Sequence, residues 1–320
     1  MHPFNDSPRI TTVAASLALV ALLVAGGLRP AAADTLPPTL IYGIASDNNI
    51  YSVDPGTGAI IDTVSTASLG LSGTLANAFA LNRARAQVYF LGTDKNLYFW
   101  DRPSGALGQV ATAADLGISA TPMPRNATFF EDRFWFMIAN DNQLRSASLS
   151  YGPGGLPTGV VLQAPLGITG VTGFLDPDDI AYDDVTRMLY GSDLPAATNT
   201  FFRVDMTSLL GDRPYTALFS QPGGIGVQLA FDNDYSTLFG ANFVTGQWYT
   251  VDTALGGTFN LTGGAVTPAP YRMRDLAGGL APVPEPGALE LAGCLAAGAG
   301  CLCWWRRRAL GALRLLRSLR

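Results

Sequence analysis

The sequence predicts an all-β fold, a five-bladed β-propeller, on three observations: a regular repeat, short strand-like runs within each repeat, and unequal ends of the repeat array. Five similar segments recur along the chain, and four of them end in aspartate. The segments are Ile50–Asp54, Leu97–Asp101, Leu144–Ser148, Phe201–Asp205 and Trp248–Asp252. Three of the four intervals between their last residues are 47 residues long, and the other is 57. A period of this length is typical of propeller blades, which each hold four short strands.

Each segment belongs to a group of runs rich in aromatic and β-branched residues. A second run lies upstream of each segment, as in Val88–Gly92 and Met188–Gly191. A third run precedes most of these, as in Ile180–Asp183, and an apolar run follows the aspartate, as in Ala59–Val64. Because Asn, Asp, Gly and Pro separate the runs, the pattern favours strands over helices.

The two ends of the array predict how the ring closes. Nothing before Leu40 resembles a first strand, whereas the last segment, Asp275–Leu280, does resemble one. Pairing this segment with Leu40–Ala45 would complete one blade from both ends of the array and remove its open edges, which gives a count of five. Six blades and an open β repeat are the alternatives. The ten additional residues of the fourth unit are expected in a longer loop around Leu194–Thr200.

The first 33 residues have the pattern of a secretory signal peptide. A polar start is followed by a small and apolar stretch at residues 11–28, which we expect to be helical, and then by Ala31 and Ala33 in an A-x-A arrangement. Cleavage after Ala33 would leave Asp34 as the first residue of the exported protein. An uncleaved membrane anchor is the alternative. The repeat domain is therefore assigned to residues 34–282.

Residues 283–320 have the composition of a sorting tail. Its parts are Val283, Pro284, Glu285 and Pro286, then an apolar run at 288–305, and then Arg306, Arg307 and Arg308. The apolar run predicts a transmembrane helix with the arginines on the cytoplasmic side. The order of these parts resembles the PEP-CTERM tail of Gram-negative bacteria. The resemblance implies an exosortase-type sorting protease as partner, an inner-membrane intermediate, and delivery to the cell surface or extracellular matrix. An ordinary single-pass anchor is the alternative.

The composition between the two ends excludes several classes of chemistry. Residues 34–286 contain no histidine and no cysteine, since His2 and the three cysteines all lie outside this range. A Ser-His-Asp or Cys-His nucleophile site and a zinc site with histidine or cysteine ligands are therefore excluded for this part of the chain. The same range carries 12 basic and 23 acidic residues, a net charge of −11, which disfavours nucleic acid as a partner.

Acidic and aromatic residues are the remaining candidates for a site. Asp176, Asp178 and Asp179 form the densest acidic segment with Asp183 and Asp184, and oxygen ligands of this kind suit calcium. Turn formation by these aspartates is the alternative that we favour. The aspartates that end four repeat segments are expected to cap turns: Asp54, Asp101, Asp205 and Asp252. Four aromatic residues of the repeats are expected in the core rather than on a sugar-binding surface: Trp100, Trp135, Trp248 and Tyr249.

Together these features predict an exported cell-surface or extracellular-matrix protein whose propeller is a non-catalytic binding or scaffold domain. No catalytic residue is assigned, and no cofactor is expected other than the calcium just considered. An extracellular polysaccharide is one expected class of ligand, and another protein is the alternative. The alternative function is a glycoside hydrolase or lyase that works with carboxylates alone and places two carboxyl groups about 5–9.5 Å apart.

Overall fold

The computed structural model describes residues 39–67, 75–193, 198–222 and 226–280. The predicted signal peptide and sorting tail, with their cleavage and motif residues, lie outside the described residues. Within the described ranges every regular element is a β-strand, which confirms the all-β class. No helix in this part of the chain has the length and apolar character needed to span a membrane.

The described residues form 21 strands, and most are five to eight residues long. The strands are β1 (Leu40–Ala45), β2 (Ile50–Asp54), β3 (Ala59–Val64), β4 (Leu75–Asn82), β5 (Gln87–Gly92), β6 (Leu97–Asp101), β7 (Leu107–Ala111), β8 (Ala127–Phe130), β9 (Arg133–Met137), β10 (Gln143–Tyr151), β11 (Pro157–Leu162), β12 (Leu166–Thr169), β13 (Pro177–Asp183), β14 (Met188–Asp193), β15 (Thr198–Asp205), β16 (Arg213–Pro222), β17 (Val227–Phe231), β18 (Leu238–Asn242), β19 (Gln247–Val251), β20 (Phe259–Val266) and β21 (Met273–Leu280).

Most strands pair with their neighbours in sequence as antiparallel meanders. Two sheets have the order β4-β5-β6-β7 and β17-β18-β19-β20. A larger sheet contains two further meanders, β8 to β11 and β13 to β16. The short strand β12 joins them, since it pairs antiparallel with β10 and parallel with β16.

The remaining sheet, of order β21-β1-β2-β3, unites the two ends of the repeat array. In this sheet Gly43 lies opposite Leu276, and Ile44 lies opposite Asp275. The prediction that residues 275–280 share a sheet with Leu40–Ala45 is therefore confirmed. Gly43 is required here, because a Cβ at this position would lie 2.7 Å from Met273 Sδ and 2.9 Å from Leu276 Cδ2.

The predicted long loop around Leu194–Thr200 is wrong. Residues 198–200 already belong to β15, and residues 194–197 lie outside the described residues. The segment before β13 instead holds the additional strand β12. The pairing of β12 with two meanders, which no local pattern encodes, explains why the repeat spacing alone misplaced these residues.

The first strands of the meanders contact one another in a closed cycle: β21 with β4, β4 with β8, β8 with β13, β13 with β17, and β17 with β21. Separate hydrophobic clusters fill the spaces between successive meanders. Strands such as β1 and β5 are therefore buried along their whole length, with both faces covered. This arrangement of meanders packed face to face is a β-propeller-like fold. Trp100, Trp135 and Trp248 lie in its core, as expected, whereas Tyr249 is half-buried.

Candidate functional site

A cavity of about 570 Å³ opens at one end of the cycle of first strands. Each of the five first strands, or the residues leading into it, contributes one side chain to the wall: Asn77, Arg125, Asp178, Gln228 and Arg274. Loops and hairpin ends supply the other lining residues, which are Thr93, Pro122, Met123, Ala139 and Phe243. We call this space the mouth cavity. Its volume lies within the range of about 300–1,000 Å³ that is typical of small-ligand sites.

The mouth cavity collects positive charge in an otherwise acidic domain. Arg125 forms an ion pair with Asp176, which leaves part of the guanidinium exposed. Arg274 takes part in none of the ion pairs between described residues, and its Nη2 donates a long hydrogen bond of 3.5 Å to the backbone oxygen of Ser46. A guanidinium without a carboxylate partner is suited to binding an anion.

Two acceptor oxygens in the wall of the mouth cavity lack a donor. Gln228 is only 4% exposed, and its Oε1 has no hydrogen-bond partner within the described part of the chain. Asp178 Oδ2 also has no hydrogen-bond partner among the described residues. Burial raises the pKa of Asp178 to about 6, an effect that nearby Arg125 opposes and that Asp176 and Asp193 reinforce. The Asp178 carboxyl can therefore change its charge near neutral pH.

The residues that follow Asp178 and Arg274 in sequence form a buried carboxyl pair. Asp179 and Asp275 are both 0% exposed, and their side chains are hydrogen-bonded to each other. Asp179 Oδ2 accepts a bond of 2.6 Å from the amide of Leu229, and Asp275 Oδ2 accepts one of 3.0 Å from the amide of Phe79. Burial raises the pKa of both carboxyls well above the ordinary aspartate value. Neither residue lines the mouth cavity.

The side chains of the three aspartates considered as calcium ligands lie in three different environments. Asp176 pairs with Arg125, Asp178 faces the mouth cavity, and Asp179 is bound to backbone amides and to Asp275. Among the residues that the structure describes, no group of three or more His, Cys, Asp or Glu side chains is placed to hold a metal ion.

The repeat aspartates cap the turns that follow their strands, as predicted. Asp54 Oδ1 accepts a hydrogen bond of 2.9 Å from the amide of Gly56, and Asp205 Oδ1 accepts one of 2.8 Å from Thr207. Asp101 and Asp252 accept equivalent bonds from the amides of residues 104 and 254. These four residues are structural and lie away from the mouth cavity.

Sequence reasoning missed Arg125, Gln228, Arg274 and Asp275. A signal for part of this set is present, because a polar residue precedes an apolar residue and an alanine in three first strands. The triplets are Asp179-Ile180-Ala181, Gln228-Leu229-Ala230 and Asp275-Leu276-Ala277. Aligning the repeats on their first strands would have marked this polar position, although it would not have shown which side chains reach the cavity.

Comparisons with known proteins gave no match to a protein-family model and no match to a curated protein. Solved structures with distant likeness include one from a nidogen/laminin complex, with a TM-score of 0.44, 11% identity, and coverage of 75% of this chain and 97% of that chain. Another is virginiamycin B lyase from Staphylococcus aureus, with a TM-score of 0.36, 13% identity, and coverage of 71% and 70%. A third is an auxiliary nutrient binding protein from Bacteroides thetaiotaomicron, with a TM-score of 0.39, 14% identity, and coverage of 59% and 41%.

Proposed function

We propose that this chain is an exported cell-surface or extracellular-matrix protein whose five-bladed propeller is a non-catalytic binding domain, with its ligand site in the mouth cavity. The observation that carries the proposal is the pair of buried acceptors without donors, Gln228 Oε1 and Asp178 Oδ2, in the wall of this cavity. Buried polar atoms are nearly always satisfied, so two unpartnered acceptors in side chains that line one cavity favour a bound ligand that supplies donors.

The count of five blades is supported by the closed cycle of β21, β4, β8, β13 and β17. A sixth blade would have to interrupt this cycle, and an open repeat would leave β21 and β1 without the pairing that joins them. Because a closed ring has a channel along its axis, the end of the cycle is the place where a propeller offers a concave surface.

The chemical character of the mouth cavity favours a polysaccharide as the ligand. Arg125, Arg274 and Asn77 can donate hydrogen bonds, whereas Gln228 and Asp178 can accept them. Phe243 is 45% exposed and gives the wall an aromatic surface. Saccharides present both hydroxyl groups and apolar C–H faces, so a wall that mixes polar and aromatic groups suits them.

A glycoside hydrolase or lyase is the second candidate, and one observation favours it. The raised pKa of Asp178, about 6, suits a general acid. The mechanism also needs a second carboxyl group at about 5–9.5 Å with room for substrate or water between the two. Asp176 and Asp193 are the carboxyls that act on Asp178, but neither lines the mouth cavity. Asp179 and Asp275 do not provide it either, because they are buried and hydrogen-bonded directly to each other. This arrangement supports the binding function more than catalysis.

The experiment that tests the function uses the secreted protein with a panel of neutral and acidic polysaccharides, with and without calcium. Binding is measured by calorimetry, and new reducing ends or unsaturated products report cleavage. Binding that is lost in Gln228→Ala and kept in Asn260→Ala, an exposed position on β20, would support the mouth cavity as the site. Cleavage that is lost in Asp178→Asn would support the enzyme instead.

Export and sorting are tested by the ends of the mature protein. We expect N-terminal sequencing to give Asp34 as the first residue, and mass spectrometry of surface-released protein to find no peptide that contains residues 304–306. Secreted protein that begins at Met1, or released protein that retains those tail peptides, would contradict this part of the proposal.

A further inference from the structure

The mouth cavity combines a positively charged arginine with acceptor oxygens that lack donors, and both features indicate the chemical class of its ligand. On the basis of the proposed function, we infer that the mouth cavity binds an acidic saccharide, with the carboxylate held by Arg274 and the hydroxyl groups donating to Gln228 and Asp178. A uronic acid unit is the simplest ligand with these groups. It places a planar anion and several hydroxyl donors on one pyranose ring.

Arg274 is the cation best placed to receive the carboxylate. The other arginine of the wall, Arg125, is already paired with Asp176. Arg274 has no carboxylate partner among the described residues, although it belongs to a domain with almost twice as many acidic as basic residues. The next residue, Asp275, does not neutralise it, because its carboxyl is fully buried and occupied by Asp179 and by the Phe79 and Leu276 amides.

The acceptors show why an anion alone does not complete the site. Gln228 Oε1 and Asp178 Oδ2 need donors, and a bare inorganic anion offers few or none. A metal cation would satisfy these oxygens, but it would lie in the same cavity as Arg125 and Arg274, which repel it. A ligand that combines hydroxyl donors with a carboxylate can bind both the acceptor oxygens and the arginine of the wall.

The aromatic part of the wall agrees with a saccharide rather than an acidic peptide. Phe243 lies at the end of β18 with nearly half of its surface exposed, next to the first strand that carries Gln228. The apolar C–H face of a pyranose can lie on such a ring while its hydroxyl groups turn toward the polar residues.

The test compares trigalacturonate with its methyl-ester form, in which a neutral methyl ester replaces each carboxylate. Calorimetry at pH 6 on the secreted protein should give an affinity at least about tenfold higher for the acid form, since the charge-assisted hydrogen bonds to Arg274 are lost in the ester. Arg274→Gln should remove most of this difference, and Arg274→Lys should restore part of it. Arg213→Gln, at a half-buried arginine outside the mouth cavity, should bind as the wild type does.

The outcomes separate this inference from the proposed function. If the neutral ester binds as tightly as the acid, and its binding depends on Gln228, the acidic class is wrong while the binding function stands. If neither form nor any other saccharide binds, both are wrong. The comparison of acid and ester on the wild-type protein decides the class even if Arg274→Gln does not fold.

Discussion

The carboxyl groups of Asp179 and Asp275 are hydrogen-bonded to each other in the interior of the domain, and each is fully buried. Asp179 also binds the amide of Leu229 in β17, and Asp275 binds the amide of Phe79 in β4. The pair therefore joins four of the five first strands of the cycle. Two buried carboxylates in contact cannot both be ionised at low cost, so the pair holds a shared proton in the folded state.

We expect Asp275→Ala to lower the free energy of unfolding by about 3 kcal/mol, since each buried amide left without an acceptor costs about 1–3 kcal/mol. Urea denaturation at pH 6 measures the change. Asp252→Ala is the matched control, because that aspartate is exposed and caps a single turn, and its loss should cost about 1 kcal/mol or less. Equal effects of the two substitutions would contradict a structural role for the buried pair.

The shared proton predicts a specific pH dependence of stability. Burial raises the pKa of both carboxyls, whereas an aspartate in the unfolded chain titrates near about 3.9. The folded state therefore binds more protons than the unfolded state above about pH 4. The stability that the pair contributes is fully present below about pH 4 and is lost as the pH rises toward the raised pKa of the pair.

Asp275→Asn tests this dependence, because its amide N–H can replace the shared proton. The free energy of unfolding should fall less steeply with pH between 4 and 8 in the variant than in the wild type. Urea titrations at several pH values in this range provide the measurement. Asp178 and Asp193, whose pKa values are also raised, are present in both proteins and cancel in the comparison. Parallel curves for the two proteins would show that the pair does not titrate as proposed.

The close approach of β21 to β1 predicts that a substitution of Gly43 lowers the stability of the domain. In Gly43→Ala the new Cβ would lie within 3 Å of Met273 Sδ and Leu276 Cδ2, so these two buried side chains must move within a packed sheet. Overpacking of this kind typically costs about 1–3 kcal/mol, and a lower Tm should follow. Gly159→Ala in β11 is the control, because a Cβ there has no atom within 4 Å. If both variants melt with the wild type, the closing strand does not contribute to stability.

The raised pKa of Asp178 predicts that binding of an acidic ligand strengthens as the pH falls. Above pH 6 the ionised carboxylate repels the carboxylate of the ligand, and below pH 6 the neutral carboxyl does not, while its carbonyl oxygen can still accept from a hydroxyl group. The affinity for trigalacturonate should therefore rise several-fold between pH 7 and pH 5, while the ligand carboxylates, with pKa near about 3.5, stay ionised. Calorimetry on Asp178→Asn should show an affinity that no longer changes over this range. A variant that keeps the full pH dependence would assign the effect to another group.

The sequence pattern predicted the strands closely where aromatic and β-branched residues alternate. The segments Ile50–Asp54 and Leu97–Asp101 coincide with β2 and β6. The pairing of β21 with β1 followed from the unequal ends of the array, since an unpaired strand at each end would expose its backbone groups. The pattern did not reveal β12, because its partners lie in two different meanders and its four residues carry no periodic signal.

The sequence by itself determined the repeat, the strand order and the closing of the ends. The reason is that strands and turns are encoded by patterns of a few residues, and these patterns recur at a regular interval along the chain. It also determined that histidine and cysteine chemistry is absent from residues 34–286. Only the tertiary structure decided which polar residues face the mouth cavity and which form the buried pair. Asp178 and Asp179 are neighbours in the chain, yet one lines the cavity and the other is fully buried, because the pairing of β13 is irregular at Asp178 and the packed first strands enclose only Asp179. Their pKa values depend on desolvation and on charges from other strands, which exist only once the first strands have packed together.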